Sequence, residues 1–413
     1  MLISHLKMGA KVLLRRKFFT FISLFAISLT LLVLLVATAM LDSILAPRAP
    51  ETRAARTLGI YRLGFEGPHT GHEGPVGYAF LDRYARHLQR VETIALFTEQ
   101  QGAVSYVAGR KITSYLKRTD GEFWRILDFD FVEGGPFTAA DELQANPVAV
   151  INQSTRRRFF GAAPALGRPF AIDGQSFRVV GVVRDVPIVR IVPFADVWVP
   201  ISTAKSSTYK HEALGNFMAI LLARSRRDLP AIQAEFRSRL AHAESPDPRL
   251  YTRIAGGADT SFEALARLLF ASRENDAHAG RLRAALLTAM AMFMLLPTLN
   301  LININLSRIL DRAAEIGVRK AFGASSWALV GQFLIENLVL TLLGGALGLA
   351  LAGPVLAALN RSGLVPYAQF GLNLRVFAYG LAIAVFFGLL SGVYPAWKMS
   401  RLQPARALSG RSS

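Results

Sequence analysis

The chain has 413 residues, 52% hydrophobic and 18% charged, and its mean hydropathy of +0.33 suits a membrane protein with a sizeable water-soluble part. It contains no cysteine, which excludes a disulfide framework, a thiolate metal site and a cysteine nucleophile. The net charge of +18 could serve nucleic acid, but Lys and Arg cluster beside apolar runs, where they act as topological anchors, and no nucleic-acid partner is expected.

In chain order, residues 1–17 carry Lys7, Lys11, Arg15, Arg16 and Lys17 with no acid, and read as a cytoplasmic amphipathic segment. Residues 18–41 follow without a charge between Lys17 and Asp42. About 20 apolar residues cross the hydrocarbon core as a helix, so this run is a first span. Ala37-Thr38-Ala39 resembles a signal-peptidase site, but the apolar run exceeds the roughly 7–15 residues of a signal peptide, and an uncleaved anchor is predicted.

Residues 42–283 read as a mixed α/β extracytoplasmic domain. The Gly/Pro/His-rich stretch Gly64 to Gly77 reads as a loop. Its His69, His72 and Glu73 come nearest to a metal cluster, but no helix fixes them, and no metal is expected. Asp128 and Asp130 alternate with Phe129 and Phe131 as strand residues do, rather than as a catalytic carboxylate pair. Val148 to Ile151 is a short buried strand ended by Asn152, and a helix over Ser154 to Phe160 follows with Ser154 as its N-cap. Phe170 to Val183 is a hairpin turning at Asp173-Gly174. Val197 to Pro200 and Phe217 to Ala223 are strands. Asp228 to Ala243 is an amphipathic helix with Leu229, Ile232, Phe236 and Leu240 on one face. Arg249 to Ala255 is a strand, and Phe262 to Phe270 begins a helix that runs towards the second span.

Three further apolar runs give spans at 284–306, 328–359 and 376–397. Arg308, Arg312, Arg319 and Lys320 lie between the second and third, and Lys398, Arg401, Arg406 and Arg411 follow the fourth; the 360–375 loop has only Arg361 and Arg375. The positive-inside rule then places both termini and residues 307–327 in the cytoplasm, with 398–413 as a cytoplasmic tail. The fold class is an α-helical membrane protein with four transmembrane helices plus a mixed α/β domain inserted between the first two.

Chemistry-bearing motifs are sparse. There is no G-x-x-x-x-G-K-[ST] phosphate loop, no G-x-S-x-G and no H-E-x-x-H; the chain is read as non-catalytic and binding no cofactor itself. The 307–320 segment is an amphipathic helix: Leu306, Ile309, Leu310, Ala313 and Gly317 share one face, and Glu315 and Arg319 form an acid-to-base i, i+4 pair. Gly323 terminates it. The helix is suited to a cytoplasmic partner, or to anionic headgroups of the lipid bilayer. Asn300, Asn303 and Glu336 are polar residues at membrane depth, where they face protein or water. They are read either as a contact that shifts between states or as static helix–helix glue. Gly344 with Gly348, and Gly388 with Gly392, permit close helix approach.

The run Arg312 to Ser325 (RAAEIGVRKAFGAS) resembles the signature of FtsX/MacB-type ABC transporter permeases, as do Gln332 to Glu336, the Gly344-Gly345 and Gly348 span, and Gly392 to Lys398. In the external domain, Phe131 to Phe137, Val148 to Ile151, Phe159-Phe160-Gly161, Leu166-Gly167 and Phe177 to Val183 resemble a MacB-like periplasmic core domain. The resemblance implies a bacterial inner-membrane, multi-pass permease that forms a homodimer or pairs with a sister permease. It also implies a cytoplasmic ABC ATPase partner supplying ATP and Mg, with a periplasmic membrane-fusion protein as a further partner. Arg312, Glu315, Ile316, Gly317, Arg319, Lys320, Gly323 and Ala324 would receive the ATPase's push, and the motion would reach the external domain as mechanotransmission. Efflux, lipoprotein release and activation of wall hydrolases all fit that output. A membrane-anchored regulator or scaffold of periplasmic partners, without transport, is the alternative.

Overall fold

The computed structural model describes residues 17–107, 109–311, 318, 326–367 and 370–400. They fall into two units: a helical one, and a soluble one made of Ile44–Arg283 with Val365–Ala368.

The soluble unit is built on short apolar and alternating runs that form strands β1 (Thr57–Ile60), β2 (Leu63–Glu66), β3 (Gly71–Gly74), β4 (Val91–Thr98), β5 (Gln101–Val107), β6 (Arg110–Thr119), β7 (Phe131–Gly134), β8 (Val148–Asn152), β9 (Pro169–Ile172), β10 (Gln175–Val183), β11 (Val197–Pro200), β12 (Phe217–Ala223) and β13 (Arg253–Gly256). The main sheet runs β1-β12-β4-β6-β11-β8-β10-β7, with β5 paired to β6 and β9 to β10; β13-β2-β3 form a smaller sheet. Most pairings are antiparallel, but β11 runs parallel to β6 and β10 parallel to β8.

The central strands are apolar throughout because both faces of the sheet are covered. On β12, Phe217, Ala219, Leu221 and Ala223 enter one core, and Met218, Ile220 and Leu222 enter the other. The first core lies under helices Tyr78–Tyr84 and Leu229–Ala241, the latter contributing Leu229, Ile232, Phe236 and Leu240, the face expected from the sequence. The second is aromatic, with Phe97, Phe123, Trp124, Phe137 and Trp198. On β8, Val148 and Val150 join this aromatic core, while Ala149 and Ile151 join a third core under β9 and β10.

The β9–β10 hairpin turns at Asp173 (φ 55°) and Gly174 (φ 72°), the left-handed pair that an Asp-Gly turn requires. Four sequence expectations need correction. Residues 63–74 are not a loop but a hairpin, with Phe65 opposite His72 and Gly67 N–H donating to the Thr70 carbonyl at 2.8 Å. Pairing of β2 with β13 stabilises a strand that Gly and His would not favour alone. Asn152, not Ser154, caps helix Gln153–Phe160: its side-chain Oδ1 accepts from Thr155 N–H at 2.7 Å, while Ser154 is engaged with Asp185. The strand expected from Arg249 starts at Arg253, because Leu250 and Tyr251 close a turn onto the Asp247 carbonyl. Helix Ser261–Phe270 stops at Ala271 in the left-handed region (φ 46°) instead of running on. Buried Arg267 turns the chain back by donating to the Ser272 and Glu274 carbonyls at 3.2 and 2.6 Å.

The helical unit comprises most of Lys17–Leu45 with Ala279–Asp311, Ser326–Ser362 and Leu374–Ser400, apart from the ends assigned to the soluble unit. Among the described residues, Thr20–Leu45 and Leu334–Ser362 are long and apolar enough to cross a membrane, and Phe377–Ser391 is a shorter apolar stretch.

Phe236 is fully buried at the centre of the first core. Truncating such an aromatic typically costs about 3–5 kcal/mol. Phe236→Ala is therefore expected to lower the thermal midpoint of the soluble unit by roughly 10 °C, read by tryptophan fluorescence on the detergent-solubilised chain; an unchanged midpoint would contradict this packing.

Candidate functional site

The segment expected to meet an ATPase falls mainly outside the described residues: Arg312, Glu315, Ile316, Gly317, Arg319, Lys320, Gly323 and Ala324 all do so.

Helix Lys17–Leu45 has two faces. Ser23, Ile27, Leu31, Leu35, Ala39 and Ser43 recur every four residues and are buried, whereas Phe18, Phe21, Phe25, Leu29, Val33 and Met40 are exposed. A four-residue period keeps one narrow stripe against its neighbours. That stripe meets glycines of helix Ser326–Ser362. A Cβ on Gly344 would lie 2.6 Å from Ile27 Cγ2, and one on Gly348 would lie 3.0 Å from the Ser28 carbonyl oxygen. A Cβ on Gly388 would collide with Thr341 Oγ1, so the last helix also approaches through a glycine. Gly392 lies in the same helix, Leu374–Ser400.

Hydroxyls on these helices bond back to their own backbones, which satisfies them where water is scarce. Thr38 donates to the Leu34 carbonyl at 2.6 Å, Thr341 to Asn337 at 2.9 Å and Ser391 to Gly388 at 2.7 Å. Of the polar residues expected at membrane depth, Glu336 is buried at 2% exposure, Asn303 is exposed, and Asn300 lies in helix Ala279–Asp311. Asn337, which the sequence did not single out, is 1% exposed, and neither of its amide atoms has a hydrogen-bond partner among the described residues.

Among the described residues, the soluble unit buries several charged groups. Arg267 grips Asp259 with two nitrogens at 2.6 and 3.1 Å. Arg190, 5% exposed, donates to Glu51 Oε2 at 2.9 Å; burial raises the Glu51 carboxyl above its ordinary range, and Arg190 opposes that shift. Lys117 has no exposed surface; its Nζ donates to the Ile191 and Val192 carbonyls at 2.8 and 2.6 Å and lies 5.2 Å from the centre of the Phe97 ring. Burial lowers its pKa to about 7, against the pull of Glu51 and Glu99. Sequence alternation gave no hint of Lys117, because alternation locates charge only when one face of a sheet is wet, and Arg190 lies in the loop between β10 and β11, where no period applies. His72 rests near Phe65, Glu73 is shared by Arg62 and Arg273, and Asp128 and Asp130 pair with Arg53 and Arg184. Among the described residues, no group of three or more His, Cys, Asp or Glu could hold a metal.

Two predictions follow from this geometry. Unfolded Lys117 binds its proton below its ordinary pKa of 10.5, whereas folded Lys117 binds it only near 7. Between these values the unfolded state holds more protons, so stability rises with pH. Lys117→Met should flatten the rise in thermal midpoint between pH 7 and 10.5; an undiminished slope would contradict it. In the helical unit, Gly344→Ala should lower the midpoint by several degrees. Gly353→Ala should not, because its Cβ would meet only Leu372 Cδ1 at 3.8 Å; equal effects would contradict the close approach at Gly344.

The profile of a MacB-like periplasmic core domain matches residues 20–239, and that of an FtsX-like permease C-terminal domain matches residues 287–404. The chain is 29% identical over 310 residues to the pyoverdine export ATP-binding/permease protein PvdT of Pseudomonas aeruginosa, covering 72% of this chain and 42% of that protein. It is 26% identical over 279 residues to YknZ of Bacillus subtilis, described as an uncharacterized ABC transporter permease, covering 67% and 64%. It is 27% identical over 292 residues to the macrolide export ATP-binding/permease protein MacB of Chromobacterium violaceum, covering 70% and 42%. The matched part is about half of PvdT and MacB. With one profile spanning more than half of the chain and the second most of the remainder, the chain belongs to the FtsX/MacB family of inner-membrane ABC transporter permeases, whose domains form the transmembrane component.

Proposed function

We propose that the chain is a permease subunit that couples ATP hydrolysis by a separate cytoplasmic ATPase to conformational change in its extracytoplasmic domain, and so drives export or extraction of a substrate. The observation that carries this reading is the joining, in one chain without a phosphate loop, of a MacB-like core to an FtsX-like permease domain. PvdT and MacB are described as ATP-binding/permease proteins, which supports work together with an ATPase. Their names give different cargoes, pyoverdine and a macrolide, so the shared part is better read as machinery than as a cargo pocket.

In this reading, residues 18–41, 284–306, 328–359 and 376–397 span the membrane, both termini are cytoplasmic, and 42–283 and 360–375 lie outside. Residues 307–327 form the lever that the ATPase pushes. Arg312, Glu315, Arg319 and Lys320 contact the motor, Ile316 and Gly317 present the apolar side, and Gly323 and Ala324 form the break that passes motion into the third span. ATP and Mg are held by the partner. A second permease copy, or a sister chain, completes the pair over two ATPases, and a periplasmic membrane-fusion protein is the expected outer partner. The glycines through which helix Ser326–Ser362 meets helix Lys17–Leu45 support helices that move as a block.

The test is purification of the full chain in detergent or nanodiscs from its native host. The reading expects stoichiometric co-purification with an ABC ATPase. It also expects Glu315→Ala or Arg319→Ala to reduce permease-dependent ATP turnover several-fold, and Gly323→Pro to leave insertion intact while uncoupling turnover from export. Absence of any ATPase partner would overturn it in favour of a scaffold without transport.

A further inference from the structure

The loop between β10 and β11, residues 184–196, has little freedom relative to the sheet. At its start Asp185 accepts from Ser154 N–H and Oγ, each at 2.8 Å. In its middle the Ile191 and Val192 carbonyls accept from buried Lys117. At its end Asp196 is 3% exposed and accepts from Tyr115 N–H at 2.9 Å and Asn152 Nδ2 at 2.9 Å, with Arg158 at 3.2 Å. Asn152 and Tyr115 belong to β8 and β6, so the loop is fastened to the centre of the main sheet.

Its remaining polar groups hold two other parts of the soluble unit. Arg190 donates to the Ala46 carbonyl at 2.9 Å and to Glu51 at 2.9 Å. Ala46 directly follows helix Lys17–Leu45. Ile188 N–H donates to the Pro366 carbonyl at 3.2 Å, Tyr367 donates its hydroxyl to Asp196 Oδ1 at 3.1 Å, and the Tyr367 and Phe194 rings lie 6.4 Å apart. Pro366 and Tyr367 lie in the connection between helices Ser326–Ser362 and Leu374–Ser400. Tyr367 has φ 59°, a left-handed conformation uncommon for a residue with a bulky side chain, as expected where surrounding contacts over-determine it. The chain passes between the two units after residues 43, 283, 364 and 368, and this one loop bonds the segments beside three of those crossings.

We infer that residues 184–196 are the junction through which displacement of the first, third and fourth apolar helices enters the β-sheet of the soluble unit, with Arg190 and Asp196 as its two grips. The inference rests on the coupling reading proposed above and adds to it a defined point of entry. A short loop fixed to the sheet at both ends transmits a pull with little slack, because packed elements shift as rigid bodies rather than deform continuously.

The absence of cysteine allows a single reporter. Leu143 is 88% exposed and distant in sequence from the loop, so Leu143→Cys carries an environment-sensitive fluorophore. The labelled full chain is reconstituted in nanodiscs with its co-purified ATPase, and the fluorescence change on adding ATP is recorded together with ATP turnover. Tyr367→Ala is expected to cut the ATP-induced change at least fivefold with turnover within twofold of the unsubstituted chain. Tyr367→Phe, which removes only the hydroxyl bonded to Asp196, should cut it at least twofold and serves if the alanine variant does not fold. Gln233→Ala, which removes bonds to the Ala258 carbonyl and Glu263 elsewhere in the unit, should leave the change intact. If the unsubstituted chain shows no ATP-induced change, the coupling reading falls and takes the junction with it. If that chain responds and the Tyr367 variants respond equally, or if Gln233→Ala is equally damaging, coupling stands and the junction is overturned.

Discussion

A sheet covered on both faces leaves a charged side chain no route to water, and this constraint organises the soluble unit. Strands β12, β8 and β4 send alternate residues into different cores. Any ionisable group rooted among them must find its partners inside the protein. Lys117 does so with two carbonyls and the face of Phe97. Arg267 closes on Asp259 and two carbonyls; Asp196 collects donors from β6 and β8. Lys117 and Arg267 are satisfied by carbonyls of loops, whereas Asp196 is a loop residue satisfied by donors of the strands. The buried charges thus determine where irregular segments sit.

The helical unit answers the same demand with different means. Its hydroxyls bond to carbonyls of their own helices, and its helices approach through Gly344, Gly348 and Gly388 rather than through large side chains. Without water to expel, association of apolar helices depends on close contact and on polar groups finding partners. The exposed aromatic stripe of Phe18, Phe21 and Phe25 on the first helix lies opposite the buried stripe that includes Ser23, Ile27 and Leu31. That division separates the surface available to lipid or a partner from the surface that holds the unit together.

Much of the fold was legible in the residues. The Asp173-Gly174 turn, the strand Phe217–Ala223 and the face Leu229, Ile232, Phe236, Leu240 each follow from local pattern, and each stands as read. The failures share one cause. Gly64 to Gly77 is dominated by Gly, Pro and His, and its hairpin is held by pairing with β13; the helix after Thr260 ends where buried Arg267 bends the chain. In both places a partner far away in sequence, or a charge needing carbonyls, overrode local preference. The candidate coupling residues from Arg312 to Ala324 were legible as a motif, and the charged groups around residues 184–196 were not.

The sequence by itself determined the apolar runs, the basic residues that flank them, the strand and helix periods, and the motif that marks the family, because each is written in neighbouring residues. Only the tertiary structure decided which buried charges meet, and that Ala46, Glu51, Pro366 and Tyr367 converge on one loop of the sheet. Those contacts join residues more than 130 positions apart. No local period encodes them; they exist because buried polar groups must be paired, and the fold alone determines which partners are within reach.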